Sequence, residues 1–247
     1  MIGEPYTIEM VGTPARFMST EGELTAPAIT QEGEEGDIRA TGGVRGQFDS
    51  AGGASTISLG GAKGPIRVES AEARWNQQTP SFKFEQNVRL WQGENLLLAQ
   101  EVETLTRQDL VVARGGVRTF LQPQRAEEEG EGAEDAGADD AGAEPAVEQG
   151  TDEATPDAVD DSPVEITSAW MEYGLESRLL AYHDNVQMRQ SGRRMNCDDA
   201  EATLREGGGM ETLHCVGKVK VEDDVAGRSV SGEEALYRVS ADEITFQ

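Results

Sequence analysis

The chain has few of the residues on which compact enzymes and nucleic-acid-binding proteins depend. Of its 247 residues only 5% are aromatic, two are cysteine and two are histidine. Lys and Arg together number 21 against 47 Asp and Glu, and the formal net charge is −26. This shortage of basic residues argues against a nucleic-acid partner, because neutralising phosphates requires clustered Lys and Arg. The acidic excess argues in the same way against binding to an anionic bilayer face.

Targeting signals and a disulfide framework are also absent from the sequence. No apolar run is long enough to span a bilayer. The first residues lack the basic and apolar regions of a signal peptide, which favours a cytoplasmic protein, a mature form or a piece of a longer chain. Two cysteines leave two interpretations open, a single bridge between Cys197 and Cys215 or two small buried apolar residues.

The common catalytic and metal-binding motifs are missing as well. The glycine-rich stretch 60–64 lacks the spacing and the hydroxyl of a phosphate loop, and no Gly-x-Ser-x-Gly elbow occurs. His183 and His214 have no metal-ligand spacing. His214, Cys215 and Cys197 could share a metal only if neighbouring strand residues faced the same side, which strand alternation opposes. We therefore predict a protein without enzymatic activity, metal or cofactor.

Much of the negative charge lies in one segment. Residues 126–163 contain 15 acidic residues and no basic one, so the remaining chain carries a net charge of only −11. The segment has no aromatic residue and few large aliphatic residues, so it cannot bury enough surface to offset its ordering entropy. We predict a disordered linker or insertion, acting either as a solvated spacer or as an acidic interaction tail.

Outside this segment the dominant pattern is alternation of apolar and polar residues. Clear instances are Ser81–Glu85 and Lys218–Glu222, and Gly-rich or Asn-containing breaks separate such runs. This pattern is typical of many short strands joined by tight turns. We therefore predict an all-β protein.

An internal repeat organises these strands. An element that begins and ends with a large apolar residue, or with cysteine at its start, recurs five times, at Val68–Trp75, Leu98–Leu105, Ile166–Tyr173, Cys197–Leu204 and Val230–Tyr237. A Gly or Asn turn followed by a Val-led strand comes 19 to 22 residues after the start of the first four, at Val88, Val117, Val186 and Val219. A further copy stands at Gly43-Val44. Each unit of about 30 residues is too small to bury its own apolar face, so the units are expected to stack.

The two longest gaps fall at the same point of the repeat. From the leading Val of the Val-led strand to the start of the next first element there are 10 or 11 residues in three units. The same distance is 24 residues after Val44 and 49 residues after Val117. Both insertions are therefore expected in one type of edge loop, where added length costs little. We predict β-repeats over 1–125, the acidic insertion over 126–163, and a continuation of the same array over 164–247.

Alternation also predicts which residues line the inside of the stack. A corner or bulge near Ser70 is needed for both Val68 and Trp75 to face inward. The stack would then be a folded sheet, open at one seam, with an aliphatic and aromatic inner face. The candidate groove residues are Trp75, Phe82, Phe84, Val88, Leu90, Leu96, Leu98, Val117, Tyr173, Leu180, Val186, Met188, Val219, Val221 and Tyr237.

The alternating elements resemble the OstA/LptA family of lipopolysaccharide-transport proteins. The resemblance rests on the Val-x-Ser-Ala-type element alternating with the Asn-Val or Gly-Val strand, and on Met10–Phe17 followed by Gly36–Ala40. It extends over about Tyr6 to Phe246, excluding the acidic insertion. It implies a twisted β-jelly roll that stacks end to end and shields the acyl chains of lipopolysaccharide.

The resemblance therefore implies a non-enzymatic bridge in the periplasm. Its partners would be lipopolysaccharide, or a similar acylated lipid, and other OstA-like proteins. The latter would be joined by strand addition at the end strands Tyr6–Met10 and Ile244–Phe246, which allows a head-to-tail oligomer. A different interpretation of the same residues is a structural β-repeat scaffold or surface protein whose interior is filled by its own side chains. Lipid binding separates these two hypotheses.

Overall fold

The protein is all-β, as its sequence predicts. The computed structural model describes residues 7–19, 22–32, 36–48, 64–76, 78–79, 81–122, 162–205, 209–241 and 243–246. The strands are β1 (Thr7–Met18), β2 (Gly22–Glu32), β3 (Ile38–Phe48), β4 (Ile66–Asn76), β5 (Ser81–Gln92), β6 (Asn95–Leu105), β7 (Leu110–Leu121), β8 (Val164–Gly174), β9 (Leu179–Gln190), β10 (Arg193–Leu204), β11 (Met210–Asp223), β12 (Arg228–Arg238) and β13 (Glu243–Phe246). Short 3-10 turns lie at Thr106–Gln108 and Val239–Ala241.

These strands form one antiparallel sheet in which every strand pairs with its neighbours in sequence. The five predicted first elements lie in β4, β6, β8, β10 and β12, and the Val-led elements lie in β3, β5, β7, β9 and β11. Strand β7 pairs with β8 although residues 123–161 separate them, so both halves of the chain belong to the same sheet. The predicted acidic insertion lies outside the described residues except for Ser162 and Pro163.

A line of left-handed residues bends the odd-numbered strands from β3 to β11. Two consecutive residues with positive φ precede the Val-led part of each, namely Gly42-Gly43, Gln86-Asn87, Gly115-Gly116, Asp184-Asn185 and Gly217-Lys218. Glycine adopts this conformation without a steric penalty, and Asn and Asp tolerate it better than other residues. The sequence analysis placed turns between strands at these Gly and Asn residues. In the structure they are corners within single strands.

The even-numbered strands accommodate this corner by a shift in pairing. On β4 the regular register with β5 breaks between Glu69 and Glu72. The buried positions of β4 change from Ile66, Val68 and Ser70 to Ala73 across the break. Val68 and Trp75 consequently lie on the same face, which confirms the predicted bulge near Ser70.

The corner divides the sheet into two walls. We call the side that contains Ser81–Glu85 of β5 wall A and the side that contains Val88–Gln92 wall B. Every other strand from β1 to β12 is divided at the equivalent register break, and β13 pairs with the wall A part of β12. The connections from β3 to β4 and from β7 to β8 both join strand ends at the free rim of wall B. The two longest insertions are thus attached at the same rim, as the repeat offsets predict.

The apolar inner faces of the walls form one core. A single cluster of buried apolar side chains extends from Ala15 in β1 to Tyr237 in β12. Tyr173, Tyr182, Tyr237, Phe82 and Phe84 are the largest fully buried side chains. Their burial follows from folding the sheet at the corner, which brings the two inner faces together.

The strand corners allow a direct test of the left-handed conformation. An added Cβ at Gly116 meets no atom within 4 Å, so the cost of Gly116→Ala comes from its φ of +74° alone. We expect a loss of about 1 kcal/mol in unfolding free energy, measured by urea denaturation. Asn87→Gly, at the equivalent corner of β5 with φ of +55°, should change stability by less than about 0.5 kcal/mol. Equal losses in both variants would contradict this explanation of the corner.

Candidate functional site

The inner face of the folded sheet is apolar from one end of the molecule to the other. Cross-strand pairing aligns one residue per strand into rows across each wall. A row of wall A contains Met10, Ile29, Ala40, Ala73, Phe84, Val102, Ala113, Met171, Tyr182, Ala200, Cys215, Ala235 and Phe246. A row of wall B contains Phe17, Leu24, Gly46, Val68, Leu90, Leu97, Thr119, Ile166, Met188, Met195, Val221 and Val230. Apart from Gly46 and Thr119, these rows contain only aliphatic, aromatic, methionine and cysteine side chains.

Most of the predicted groove residues lie on this inner face. Thirteen of the fifteen are buried or partly buried there: Trp75, Phe82, Phe84, Val88, Leu90, Val117, Tyr173, Leu180, Val186, Met188, Val219, Val221 and Tyr237. The structure therefore brings together residues from seven strands between β4 and β12 on one surface. Binding of a lipid by these residues stays a prediction.

The predicted orientation of Leu96 and Leu98 is wrong. Both lie on the outer face of wall B, where their cross-strand partners are Trp91 and Arg89. The inward residues of β6 are Asn95, Leu97 and Ala99. Asn95 fixes this orientation, because its side-chain oxygen accepts a hydrogen bond from the backbone N–H of Gln122 at 3.0 Å. Three consecutive leucines hide the alternation at this point of the sequence.

Two inward polar residues of wall B that the sequence analysis missed, Thr119 and Gln190, form hydrogen bonds with wall A. Thr119 on wall B and Tyr182 on wall A are buried, and their hydroxyl oxygens lie 2.9 Å apart. The hydroxyl of Tyr237 on wall A donates to the Gln190 side chain on wall B at 2.9 Å. Alternation alone could have placed Thr119 and Gln190 inside, because they follow Val117 and Met188 at even spacing. Their polar character concealed this role.

Aromatic rings also make contact between the walls. Phe17 on wall B lies 5.2 Å from Trp75 on wall A, measured between ring centroids. Phe48 on wall B lies 5.0 Å from Phe82 on wall A in an edge-on arrangement. Phe84, Val102 and Tyr182 in the central strands have no exposed surface at all. The walls are therefore in contact in this state, and an acyl chain would have to separate them or enter at the ends.

The inner face is accessible only towards its ends. In β1 Ile8 is 42% exposed, and in β12 Val230 is 49% exposed. Met10, Phe17, Ile244 and Phe246 are partly buried against the core. The indole N–H of Trp75 is buried near the β1 end without a hydrogen-bond acceptor among the described residues. The ends thus combine apolar surface with one unsatisfied donor.

Two buried titratable side chains, Tyr182 and Cys215, have a strongly raised pKa. Burial raises the pKa of the Tyr182 hydroxyl well above its usual range, although the Thr119 hydroxyl partly opposes this. Cys197 and Cys215 are buried free thiols. Contact with the Cys197 thiol, together with burial, raises the pKa of the Cys215 thiol far above its usual range. Neither the tyrosine nor this thiol is an available base or nucleophile near neutral pH.

The two histidines lie on the outer face of wall A. His183 stacks on Trp170 with ring centroids 3.9 Å apart, and its Nδ1 lies 3.1 Å from the Asp199 carboxylate. His214 faces outward while its neighbour Cys215 faces inward, so the two do not converge on one site. Within the described part of the chain, no three His, Cys, Asp or Glu side chains are grouped to hold a metal ion. In the same residues there is no helix with the length and apolarity to cross a membrane.

Comparison with known proteins finds matches among solved structures. No family model matches the chain, and no curated protein matches it. Among solved structures, the chain is similar to LptH of Pseudomonas aeruginosa, the LptA-homologous periplasmic component of a lipopolysaccharide transport device. The identity is 13%, the TM-score is 0.40, and the match covers 70% of this chain and 86% of that one. A likeness of this size does not assign the chain to a family.

The corrected orientation of β6 can be tested by truncating side chains on the two faces. Phe84→Ala should lower the unfolding free energy by about 3–5 kcal/mol, because it removes a fully buried ring. Leu98→Ala should cost less than about 1 kcal/mol, because Leu98 is partly exposed on the outer face. Leu97→Ala, one residue away, should behave like a core truncation with a loss of about 2–5 kcal/mol. Urea denaturation measures all three, and a larger loss for Leu98 than for Leu97 would reverse the assignment.

Proposed function

We propose that this protein is a non-enzymatic bridge that carries lipopolysaccharide, or a similarly acylated lipid, through the periplasm to the outer membrane. The acyl chains would be shielded between walls A and B. The observation that carries the proposal is the predominantly apolar inner face, which runs across the whole sheet and reaches the edge strands at both ends. The periplasmic location rests on the sequence resemblance to OstA-like proteins.

The chemistry of the inner face suits a ligand that slides. Each methylene removed from water contributes about 0.8 kcal/mol, so ten methylenes supply about 8 kcal/mol before ordering costs. Successive strands offer Val, Leu, Met, Phe and Tyr side chains at equivalent positions. Because neighbouring positions are nearly all apolar, an acyl chain would move along the sheet by exchanging one apolar contact for another.

Wall separation is the conformational change that the proposal requires. Opening would break the Thr119–Tyr182 and Tyr237–Gln190 hydrogen bonds and the Phe17–Trp75 contact. An inserted acyl chain would replace the lost apolar contacts. In the empty protein, contact between the walls keeps the same surface away from water and from other apolar surfaces.

The ends of the sheet are suited to loading and to end-to-end contact. Among the described residues, β1 pairs with β2 alone, and β13 pairs with β12 only from Ala235 to Arg238. The preceding part of β12, from Arg228 to Glu234, pairs with β11 on one side. Free strand edges of this kind accept an additional strand through main-chain hydrogen bonds. A second copy or another OstA-like protein would thereby extend the apolar inner face.

The indole N–H of Trp75 offers one polar contact for such a lipid. It is buried beside the β1 end and has no acceptor among the described residues. A buried donor without an acceptor carries a desolvation cost, which a ligand carbonyl would relieve. The ester or amide carbonyl that joins an acyl chain to its headgroup is suitable for this position.

A structural scaffold is the second candidate, and the closed walls favour it. Central side chains such as Phe84 and Tyr182 already bury one another completely. A protein that only presents its outer surface would need no further change in conformation. The two candidates differ in whether the walls separate to admit an acyl chain.

A change that weakens wall contact should distinguish the two functions. Thr119→Val removes one partner of a wall-to-wall hydrogen bond, nearly preserves the shape of the side chain, and leaves the buried Tyr182 hydroxyl without that partner. If the walls open for a lipid, Thr119→Val should bind a fluorescent fatty acid about fivefold more tightly, because opening gives the unsatisfied Tyr182 hydroxyl access to water. Unlabelled lipopolysaccharide should displace the probe.

The matched control is Thr167→Val, the same Thr-to-Val change on the outer face of wall B. It should leave the affinity for the fatty acid unchanged. Saturable binding that is equal in Thr119→Val and the wild type would exclude wall opening as the route of entry. Absence of saturable binding in every variant would favour the scaffold.

Head-to-tail association through β12 can be tested separately. Val230→Lys adds a charge to the part of β12 that β13 leaves unpaired. It should weaken self-association measured by light scattering over a wide concentration range, because charged edge residues oppose strand addition. Val225→Lys, in the adjoining turn at 85% exposure, is the matched control and should leave association unchanged. A wild-type protein that stays monomeric throughout would contradict edge-to-edge assembly.

A further inference from the structure

The outer faces of the two walls carry opposite charge. On wall B, the two cross-strand rows that begin at Arg16 and Met18 contain eight basic and four acidic residues. On wall A, the two rows that begin at Val11 and Glu9 contain four basic and nine acidic residues. The net charges of these rows are therefore +4 and −5. A basic face on a chain of net charge −26 indicates a dedicated surface.

Several arginines on wall B have no carboxylate partner. Arg67, Arg89 and Arg189 are exposed and make no ion pair with any residue in the described ranges. On wall A, in contrast, Arg39 lies 2.6 Å from Glu72, and Lys83 lies 3.0 Å from Glu101. The cations of wall A are thus compensated locally, while wall B retains guanidinium groups that can bind an external carboxylate.

An apolar strip lies among the arginines of wall B. Trp91 of β5 is the cross-strand partner of Leu96 in β6, and Leu96 is the partner of Phe120 in β7. All three side chains are partly exposed. Leu98 lies in the neighbouring row, between Arg89 and Arg118. Surface hollows of about 230 Å³ and 480 Å³ lie at the two sides of this strip, the first against Trp91 and the second against Phe120. Tryptophan, phenylalanine and arginine together are typical of the centre of a binding interface.

We propose that the outer face of wall B is the docking surface for the acidic segment of this same chain, residues 126–163. The segment contains 15 acidic residues and no basic one, the charge pattern complementary to wall B. The described chain stops at Gln122, two residues after Phe120, and resumes at Ser162, three residues before Glu165. Both attachment points therefore lie at the rim of wall B, next to the apolar strip.

The covalent connection makes this occupant favourable over an external acidic partner. A tethered segment has a millimolar effective concentration at a neighbouring surface, so weak exposed ion pairs are sufficient for docking. Docking would also place carboxylates against the unpaired arginines within the screening length of about 8 Å at physiological salt. The inference does not depend on the proposed lipid function.

A spin label in the segment tests its position in the full-length protein. Ala141→Cys places a nitroxide near the middle of the segment, and the buried Cys197 and Cys215 are protected from the reagent. The indole N–H resonance of Trp91 reports on wall B, and that of Trp170 reports on wall A. Docking should broaden the Trp91 signal strongly relative to Trp170, and salt at about 0.5 M should reduce the difference.

Two matched double variants separate docking from simple proximity along the chain. Arg67→Gln with Arg89→Gln removes two unpaired cations from wall B, whereas Arg178→Gln with Arg205→Gln removes two from the rim of wall A. The first should restore the Trp91 signal about threefold, since docking rests on few exposed contacts. The second should leave it broadened. All four residues are at least partly exposed, and circular dichroism checks that the fold is retained.

Three results would overturn the proposal. The first is a Trp91 signal that Arg67→Gln with Arg89→Gln leaves unchanged. The second is the absence of preferential broadening of Trp91 over Trp170, which would leave wall B to an external anionic partner. The third is broadening of Trp91 in an isotope-labelled chain without the nitroxide, mixed with spin-labelled chains. That result would assign the contact to the segment of a second copy.

Discussion

The structure depends on a single constraint, the left-handed corner that recurs in the odd-numbered strands from β3 to β11. A bend in one strand alone would break its hydrogen bonds with both neighbours. The neighbours of each bent strand shift their pairing at the same level, so the bends align into one line across the sheet. Folding along this line brings the two inner faces into contact. Core burial, wall-to-wall hydrogen bonds and the separation of the outer faces all follow from it.

The corner was partly predictable because it restricts residue type. Only Gly and a few polar residues adopt positive φ at low cost, so Gly43-Val44, Gly116-Val117 and Asn185-Val186 are visible as a repeat in the sequence. The orientation of β6 was not predictable, since Leu96, Leu97 and Leu98 fit either face. Asn95 and its bond to the Gln122 amide decide it, and that bond joins residues 27 positions apart.

The distance between the walls is a property that local sequence does not encode. Thr119 and Tyr182 are 63 residues apart in the chain, and their contact depends on the side-chain volumes of every strand between the walls. Periodicity identifies which residues face inward but does not say whether they enclose space or fill it. Whole-chain charge has a similar weakness. The value of −26 argues against anionic partners, yet it averages over a basic outer face on wall B and an acidic one on wall A.

A carrier and a scaffold place different demands on the same closed interior. A scaffold gains stability from every wall-to-wall contact, so its interior should be as apolar and as tightly interlocked as packing allows. A carrier must also close when empty, but each contact that closes it lowers its apparent affinity for the ligand. Hydrogen bonds such as Thr119–Tyr182 and Tyr237–Gln190 contribute only about 1 kcal/mol each, because water competes for the same groups. Walls joined partly by such bonds, and lined by similar residues from end to end, can separate locally without unfolding the strands.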